Sequence, residues 1–347
     1  MTEATPADAR GPRPSTIGDV AALAGVSRAA VSKVIRNAYG VSDAMRERVT
    51  AAIDELGYRP RVAARAMRGS TSTIGVQLPQ LDNGFFTRIL NGVMGALHDS
   101  DYHLIIAPMT DAVGGVAAIE SLYDRQVDGI IAVAPAVPQE WLEGVGRRVP
   151  LVQIGQHDDP DHYDVVVGDD DLGARLVMEH LFSLGHERIA HVTNDERILV
   201  EAATDPHPRR LRVYESMMRE RGLVPDVIRV APPDADASRA LDALLDRDVR
   251  PTALFAGHDA LALSALRAAA ERALTNAEFA IVGYDDIPLA EHPLLSLSTV
   301  DQSGEEMGAT AARMLIERIR GREVALKQVF TPRLRVRASS GADHQHR

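Results

Sequence analysis

Over the first sixty positions apolar residues recur at helical spacing. Ala21, Leu23 and Val26, then Val31, Val34 and Ile35, supply small contacts between two short helices that break at Gly25. Thr16 is placed to cap the first helix, with Asp19 adding negative charge near its positive end, and Ser27 is placed to cap the second. A third amphipathic helix follows, capped by Ser42, with Val49, Ile53 and Leu56 as its stripe and Gly57 as its stop. From Thr73 the rhythm changes. Short β-branched runs (Ile74–Val76, His103–Ile106, Gly129–Val133, Leu151–Ile154) alternate with amphipathic helical stretches, and the style returns at Arg188–Val192, Ala253–Ala256 and Phe279–Val282. Such alternation predicts parallel sheets covered by helices. No apolar run reaches the roughly 18 residues that a membrane span needs.

Charge sharpens this division. Residues 15–70 hold nine basic and five acidic side chains, a local +4, which leaves −15 of the chain's net −11 on the remainder. A basic front on an acidic body concentrates phosphate attraction at one end. The chain has no cysteine, so disulfides and thiolate metal sites are excluded. Residues 1–14, rich in Ala and Pro and without the apolar stretch of a signal peptide, read as a disordered leader.

The segments "TIGDVAALAGVS" from Thr16 and "VSDAMRERVTAAIDELGYRP" from Val41, with the stretch from Tyr58 to Gly69, resemble the lactose-repressor (LacI/GalR) family of bacterial transcription regulators. The resemblance runs from about Thr16 to about Arg337. It implies an α-helical helix-turn-helix headpiece (15–58), a hinge helix (59–71), and an α/β core (72–337). That core would form two doubly wound parallel-sheet lobes of periplasmic-binding-protein type. The first lobe is expected to take residues 72–167 and 301–327, the second 168–300 and 328–337, and 338–347 to form a tail.

The family pattern makes Arg28, Ala29 and Lys33 base-reading positions: Arg28 toward guanine, Ala29 toward a thymine methyl, Lys33 toward a base or phosphate. Thr16, Ser27, Ser32, Arg36 and Tyr39 are further DNA candidates. For Ser27, Ser32 and Tyr39 a cap or plain surface hydroxyl competes evenly. In the hinge, Met67 stands where the family wedges an apolar side chain, usually leucine, between base pairs. Ala64 is small enough for paired hinges to approach, and Arg61 would meet phosphate.

For a small-molecule effector between the lobes, Arg210 lies in an R-L-x-G-Y-like segment in which Val213 replaces glycine. Asp285 matches a pocket aspartate suited to sugar hydroxyls, and His258 stands where asparagine is usual. Gln302 matches another pocket-facing position. Asp82, Phe85, Phe86 and Gln156 fall at carboxyl ends of predicted strands, where ligands collect in open α/β sheets. Core packing competes evenly for the two phenylalanines. Gly155 replaces a frequent ligand aspartate. Asp169-Asp170 reads as structural, His157 and His162 as lying in a solvated acidic loop, and the long 193–209 connection as a lid or a solvated excursion.

No phosphate loop, nucleophile elbow or metalloprotease motif occurs, so neither catalysis nor a cofactor or metal is expected. The expected partners are a pseudo-palindromic double-stranded DNA operator, a small effector of carbohydrate type, and a second copy of the chain in a cytoplasmic homodimer, with no membrane. A purine-type regulator that needs a co-repressor and a transport-type solute-binding protein are the competing readings.

Overall fold

The computed structural model describes residues 15–35, 38–58, 71–109, 114–195, 205–231 and 236–341. It divides into two compact units, residues 1–71 and 72–347.

The first unit packs α1 (Ile17–Ala24), α2 (Arg28–Ile35) and α3 (Asp43–Leu56) around Val20, Ala21, Ala24, Val31, Val34, Val49, Ala52 and Tyr58. Thr16 and Asp19 form a reciprocal capping box on α1, and Gly25 ends it at φ 65°. Ser42 caps α3 and Gly57 closes it at φ 54°. Leu23, expected in this core, is 46% exposed. Ile17, Val20, Ala21 and Ala24 follow one another at i, i+3, i+4 and i+7, and this stripe carries Leu23 past its edge.

In the second unit six parallel strands form one sheet in the order β11-β5-β4-β3-β1-β2. They are β1 (Thr73–Leu78), β2 (His103–Pro108), β3 (Gly129–Val133), β4 (Leu151–Ile154), β5 (Asp164–Gly168) and β11 (Lys327–Phe330). Alternate residues part to the two faces. Ile74, Val76, Ile131, Val152 and Val166 pack in the cluster that holds α4 (Gly84–Leu97) and α11 (Gly304–Ile319). Ile130, Ala132, Leu151, Val165 and Val167 pack in that of α5 (Gly115–Asp124) and α6 (Gln139–Gly146).

The second sheet has β6 (Ile189–Asn194), β7 (Asp226–Val230), β8 (Ala253–Ala256) and β9 (Ala280–Val282), parallel in the order β7-β6-β8-β9. The apolar faces of α7 (Asp170–Ser183) and α8 (Pro206–Glu220) join Ile189, Phe255 and Val282 in one cluster. Those of α9 (Ala237–Leu245) and α10 (Asp259–Glu271) join Ala190, Leu254 and Ile281 in another. Both lobes are thus doubly wound. Strands β10 (Thr299–Asp301) and β12 (Arg333–Arg335) pair antiparallel beside the second.

Two expected boundaries move. Residues through Phe330 pair with β5 in the first sheet, so the chain leaves that lobe after Phe330 and not after Lys327. Part of the expected tail also belongs to the second lobe. Ser339 Oγ donates to Ile281 O at 2.6 Å and accepts from Ser298 N at 2.8 Å, and Ser339 and Ser340 are buried.

Helices α4 and α11 touch through glycine. A Cβ at Gly308 would stand 1.9 Å from Ile89 O, and one at Gly92 1.9 Å from Glu305 O. Gly308→Ala is therefore expected to force the pair apart at a cost of about 3 kcal/mol. Thermal unfolding should detect a fall in Tm of roughly 6–12 °C.

Candidate functional site

On the headpiece, Val31 and Val34 turn α2 so that Arg28, Ala29 and Lys33 are exposed, with Ser27 at its start and Ser32 half-buried. Ser27 Oγ accepts from Ala30 N at 3.1 Å, and Thr16 Oγ1 accepts from Asp19 N at 3.3 Å, so both serve as caps. Tyr39 is fully exposed. Arg36, Arg61, Ala64 and Met67 lie outside the described residues. A contact that sequence reasoning missed steadies Arg28. Its guanidinium lies across α1 at Gly18, where a Cβ would approach Nη2 to 3.0 Å.

In the second unit the candidates gather where β6, β8 and β9 end and where the chain crosses between lobes. Arg210, on the first turns of α8, is buried. Its Nε donates to Asp170 Oδ1 at 2.8 Å, its Nη1 to Gly257 O at 2.6 Å, and its guanidinium sits 3.6 Å over the Tyr284 ring. Asp170 opens α7, and its other oxygen lies 2.7 Å from His157 Nε2. Burial pushes the Asp170 carboxyl up, but Arg210 and His157 outweigh it and hold the group below its ordinary range. Arg210 therefore enters the site already neutralised. Asp169, one residue earlier, caps α7 through Leu172 N.

Asp285 follows β9 at φ 115° and accepts from Gln302 Nε2 at 2.7 Å. Burial raises its carboxyl, and Arg210, His258 and Gln302 only partly oppose that rise. Behind it Asp259 accepts from Thr299 Oγ1 at 2.6 Å and Ile287 N at 2.9 Å, and is raised by burial and by the charge of Asp285. His258, buried at the start of α10, meets His207 edge to face at 5.4 Å. The His207 ring is held by Thr193 at 3.1 Å, and burial together with Arg210 and His258 pushes its pKa well down, so it is neutral. Asp205 caps α8 through His207 N, and burial lifts it to about 6.

The other candidates are more distant in role. Phe85 is core: a Cβ at Gly304 would meet its ring at 2.9 Å, and Phe86 packs partly against the same cluster. Gln156 is buried, its main chain paired with the Gln153 amide. Asp82 is exposed between β1 and α4, and among the described residues no hydrogen bond ties it to Arg210. Gly155 sits at φ 96°, which an aspartate there would adopt only with strain. The expectation that His157 and His162 are merely solvated is overturned, since His157 bonds Asp170 and His162 Nδ1 lies 2.6 Å from Glu143. The 193–209 connection lies outside the described residues at 196–204, but its end delivers Asp205, His207 and Arg210 to the site.

Residues 16–61 match the lacI family of bacterial regulatory proteins, and residues 178–340 match the periplasmic binding protein-like domain. The ribose operon repressor of Escherichia coli (strain K12) is 33% identical over 316 residues, 88% of this chain and 93% of its own. The chain belongs to the lacI family. As a member it is a DNA-binding transcription regulator with a small-molecule-binding core. The HTH-type transcriptional repressor PurR of Vibrio atlanticus (strain LGP32) is 30% identical over 91% of this lacI-family chain and 95% of its own. In structure, the lac repressor dimer bound to operator and the anti-inducer ONPF superposes with a TM-score of 0.78 at 25% identity. That superposition covers 95% of this chain and all of the other.

Proposed function

We propose that this chain is a repressor that binds an inverted-repeat operator as a cytoplasmic homodimer and releases it when a neutral polyhydroxylated molecule of sugar type occupies the core. The observation that carries the effector reading is the Arg210–Asp170 pair. With its guanidinium matched by a carboxylate, Arg210 offers no uncompensated positive charge to a phosphate or carboxylate ligand, while Asp285 remains an acceptor for hydroxyl groups. Similarity to a ribose operon repressor supports the same class. For DNA, the support is the +4 headpiece with Arg28, Ala29 and Lys33 exposed on α2. Support for a dimer comes from the second unit, where Met94, Ile106, Leu289 and Leu294 remain exposed. No described helix is long and apolar enough to cross a membrane.

Selection from a random duplex library with the full chain is the test. It is expected to enrich an inverted repeat, and enrichment of no sequence would remove the DNA reading. On the enriched site, Arg28→Ala should cost about 1–3 kcal/mol and relax the preference at one base pair in each half-site. Lys33→Ala should mainly lower the salt slope if it meets phosphate. Adding D-ribose or a purine base to the same titration separates two mechanisms. Weaker binding with the sugar supports release by inducer, whereas tighter binding with the purine supports the co-repressor reading that similarity to PurR favours.

A further inference from the structure

The loop that carries Asp285 also holds the first lobe. Asp285 and Asp286 both take positive φ, 115° and 50°, a conformation maintained by an unbroken set of main-chain bonds. Asp285 N donates to Val300 O at 2.8 Å, Asp286 N to Thr299 Oγ1 at 3.3 Å, and Ile287 N to Asp259 Oδ2 at 2.9 Å. The Asp286 carboxylate, 11% exposed, receives two arginines from opposite sides. Arg337 Nη2, in the returning C-terminal segment of the same lobe, lies 2.8 Å from Oδ1. Arg88, on α4 of the first lobe, brings Nη1 to 3.6 Å from Oδ2 and donates from the same nitrogen to the Asp286 main-chain oxygen. One turn earlier on α4, Gly84 leaves just enough room for Ile287, whose Cβ would stand 3.1 Å from a Cβ added there.

From this geometry we infer that Asp286 is a positioning residue, a latch that holds the first lobe to the effector loop through Arg88. Its neighbour Asp285 is the group that the reading above gives to the effector, and the inference rests on that reading for its regulatory meaning. A shift of Asp285 on a ligand reaches Asp286 through the one peptide between them, and the Asp286 oxygen at the far side of that residue is the acceptor for Arg88. Arg337 plays a different part. It balances the second half of the carboxylate charge and donates to Leu297 O at 2.8 Å, so it anchors the loop to its own lobe and not to the other.

The chain has no cysteine, so nitroxides can be placed singly. Ala117→Cys on α5 and Ser238→Cys on α9 are exposed positions, one in each lobe. Electron–electron distance measurement on the full chain, diluted into unlabelled protein, then reads the lobe-to-lobe separation. Arg88→Gln and Asp286→Asn are each expected to broaden the distribution and move its mean by several ångströms. Arg337→Gln, which leaves the inter-lobe bond in place, should superpose on the unsubstituted chain. The latch is overturned if the Arg88→Gln trace is unchanged, or if Arg337→Gln opens the lobes equally. Arg88 is partly exposed, so its variant should fold, and a circular dichroism melt confirms that separately. Neither DNA nor effector is present in the measurement. A negative result therefore leaves the operator reading standing, and a failed DNA selection leaves the latch standing.

Discussion

Asp170→Ala is expected to be among the most damaging single substitutions in the core, lowering stability by about 3–5 kcal/mol. Arg210 and Asp170 are both almost wholly buried, with side-chain exposures of 5% and 2%. Removing the carboxylate leaves the guanidinium with Gly257 O and the Tyr284 ring as its remaining direct contacts among the described residues, and it also frees His157 from its 2.7 Å bond. The penalty arises from the uncompensated charge more than from the net attraction of the pair. Asp170→Leu combined with Arg210→Met should therefore recover most of the loss, since an apolar pair of similar volume replaces an ionic one at little net cost. Calorimetry on the two single variants and the double variant measures this directly. An Asp170→Ala protein within about 1 kcal/mol of the parent would show that water reaches Arg210 and that the neutralised site is misdescribed. The double variant should fold and yet respond more weakly to a sugar, because the neutralised pair beside Asp285 is gone while Asp285 itself remains.

That pair also marks where the sequence stops being legible. Arg210 and Asp285 are recognisable because each stands in a short segment that resembles the family's pattern. Asp170 reads only as structural, since it is delivered by the crossover from β5 into α7 while its partner, forty residues away, arrives on α8 after β6. The connection ending at Asp205 reads as a possible lid, but that its last residues cap a helix and bring His207 against His258 depends on how β6 and β8 pair. Arg88 carries no signal at all, because an arginine on an amphipathic helix is indistinguishable from a solvated one until a loop from the other lobe arrives.

For the fold the contrast is similar. Headpiece helices are legible because caps at Thr16 and Ser42 and stops at Gly25 and Gly57 are local chemistry. Strands such as β3 and β8 announce themselves through continuous burial. The sequence reading does not single out β5, although it is as fully buried as β3, and it also misses β7 and β10 to β12. Lys327–Phe330 is an exposed edge, and β10 and β12 are three residues each, too short for any periodicity to show. The lobe boundary moves to Phe330 for that reason.

One buried histidine should supply an acid limb to the stability of the core, a loss that sets in as the pH falls below about 6.5. His191 is fully buried in β6 between Phe255 and Tyr214. Its Nδ1 donates to Phe255 O at 2.9 Å and its Nε2 has no partner among the described residues. Burial, only partly offset by that carbonyl and reinforced by the charge of Arg210, pushes its pKa down to about 3. An unfolded histidine titrates near 6.5. Below that pH the unfolded chain takes up a proton that the folded chain refuses, so stability is full above about 6.5 and drains away as the pH falls toward 3. At pH 4.5, two units below, the loss from His191 alone is about 2.7 kcal/mol. His207 is depressed in the same direction and steepens the limb.

The carboxylates work the other way. Asp205, lifted to about 6 by burial, and Asp285 and Asp259, also raised by burial, keep protons that their unfolded counterparts release near 4. Ionising them in place penalises the folded state as the pH rises from about 4 to their raised values, so acidification returns stability down to about pH 4 and opposes the histidine limb over the same range. His191→Phe keeps the ring stack and removes the basic nitrogen. It should forfeit about 1 kcal/mol at pH 7 for the lost bond to Phe255 O, then gain steadily on the parent as the pH falls below about 6.5, with a constant difference above that. Melting temperatures of parent and variant across pH 4.5–9 decide the matter. Parallel curves below pH 6 would mean that His191 is already protonated, or already hydrated, inside the folded chain.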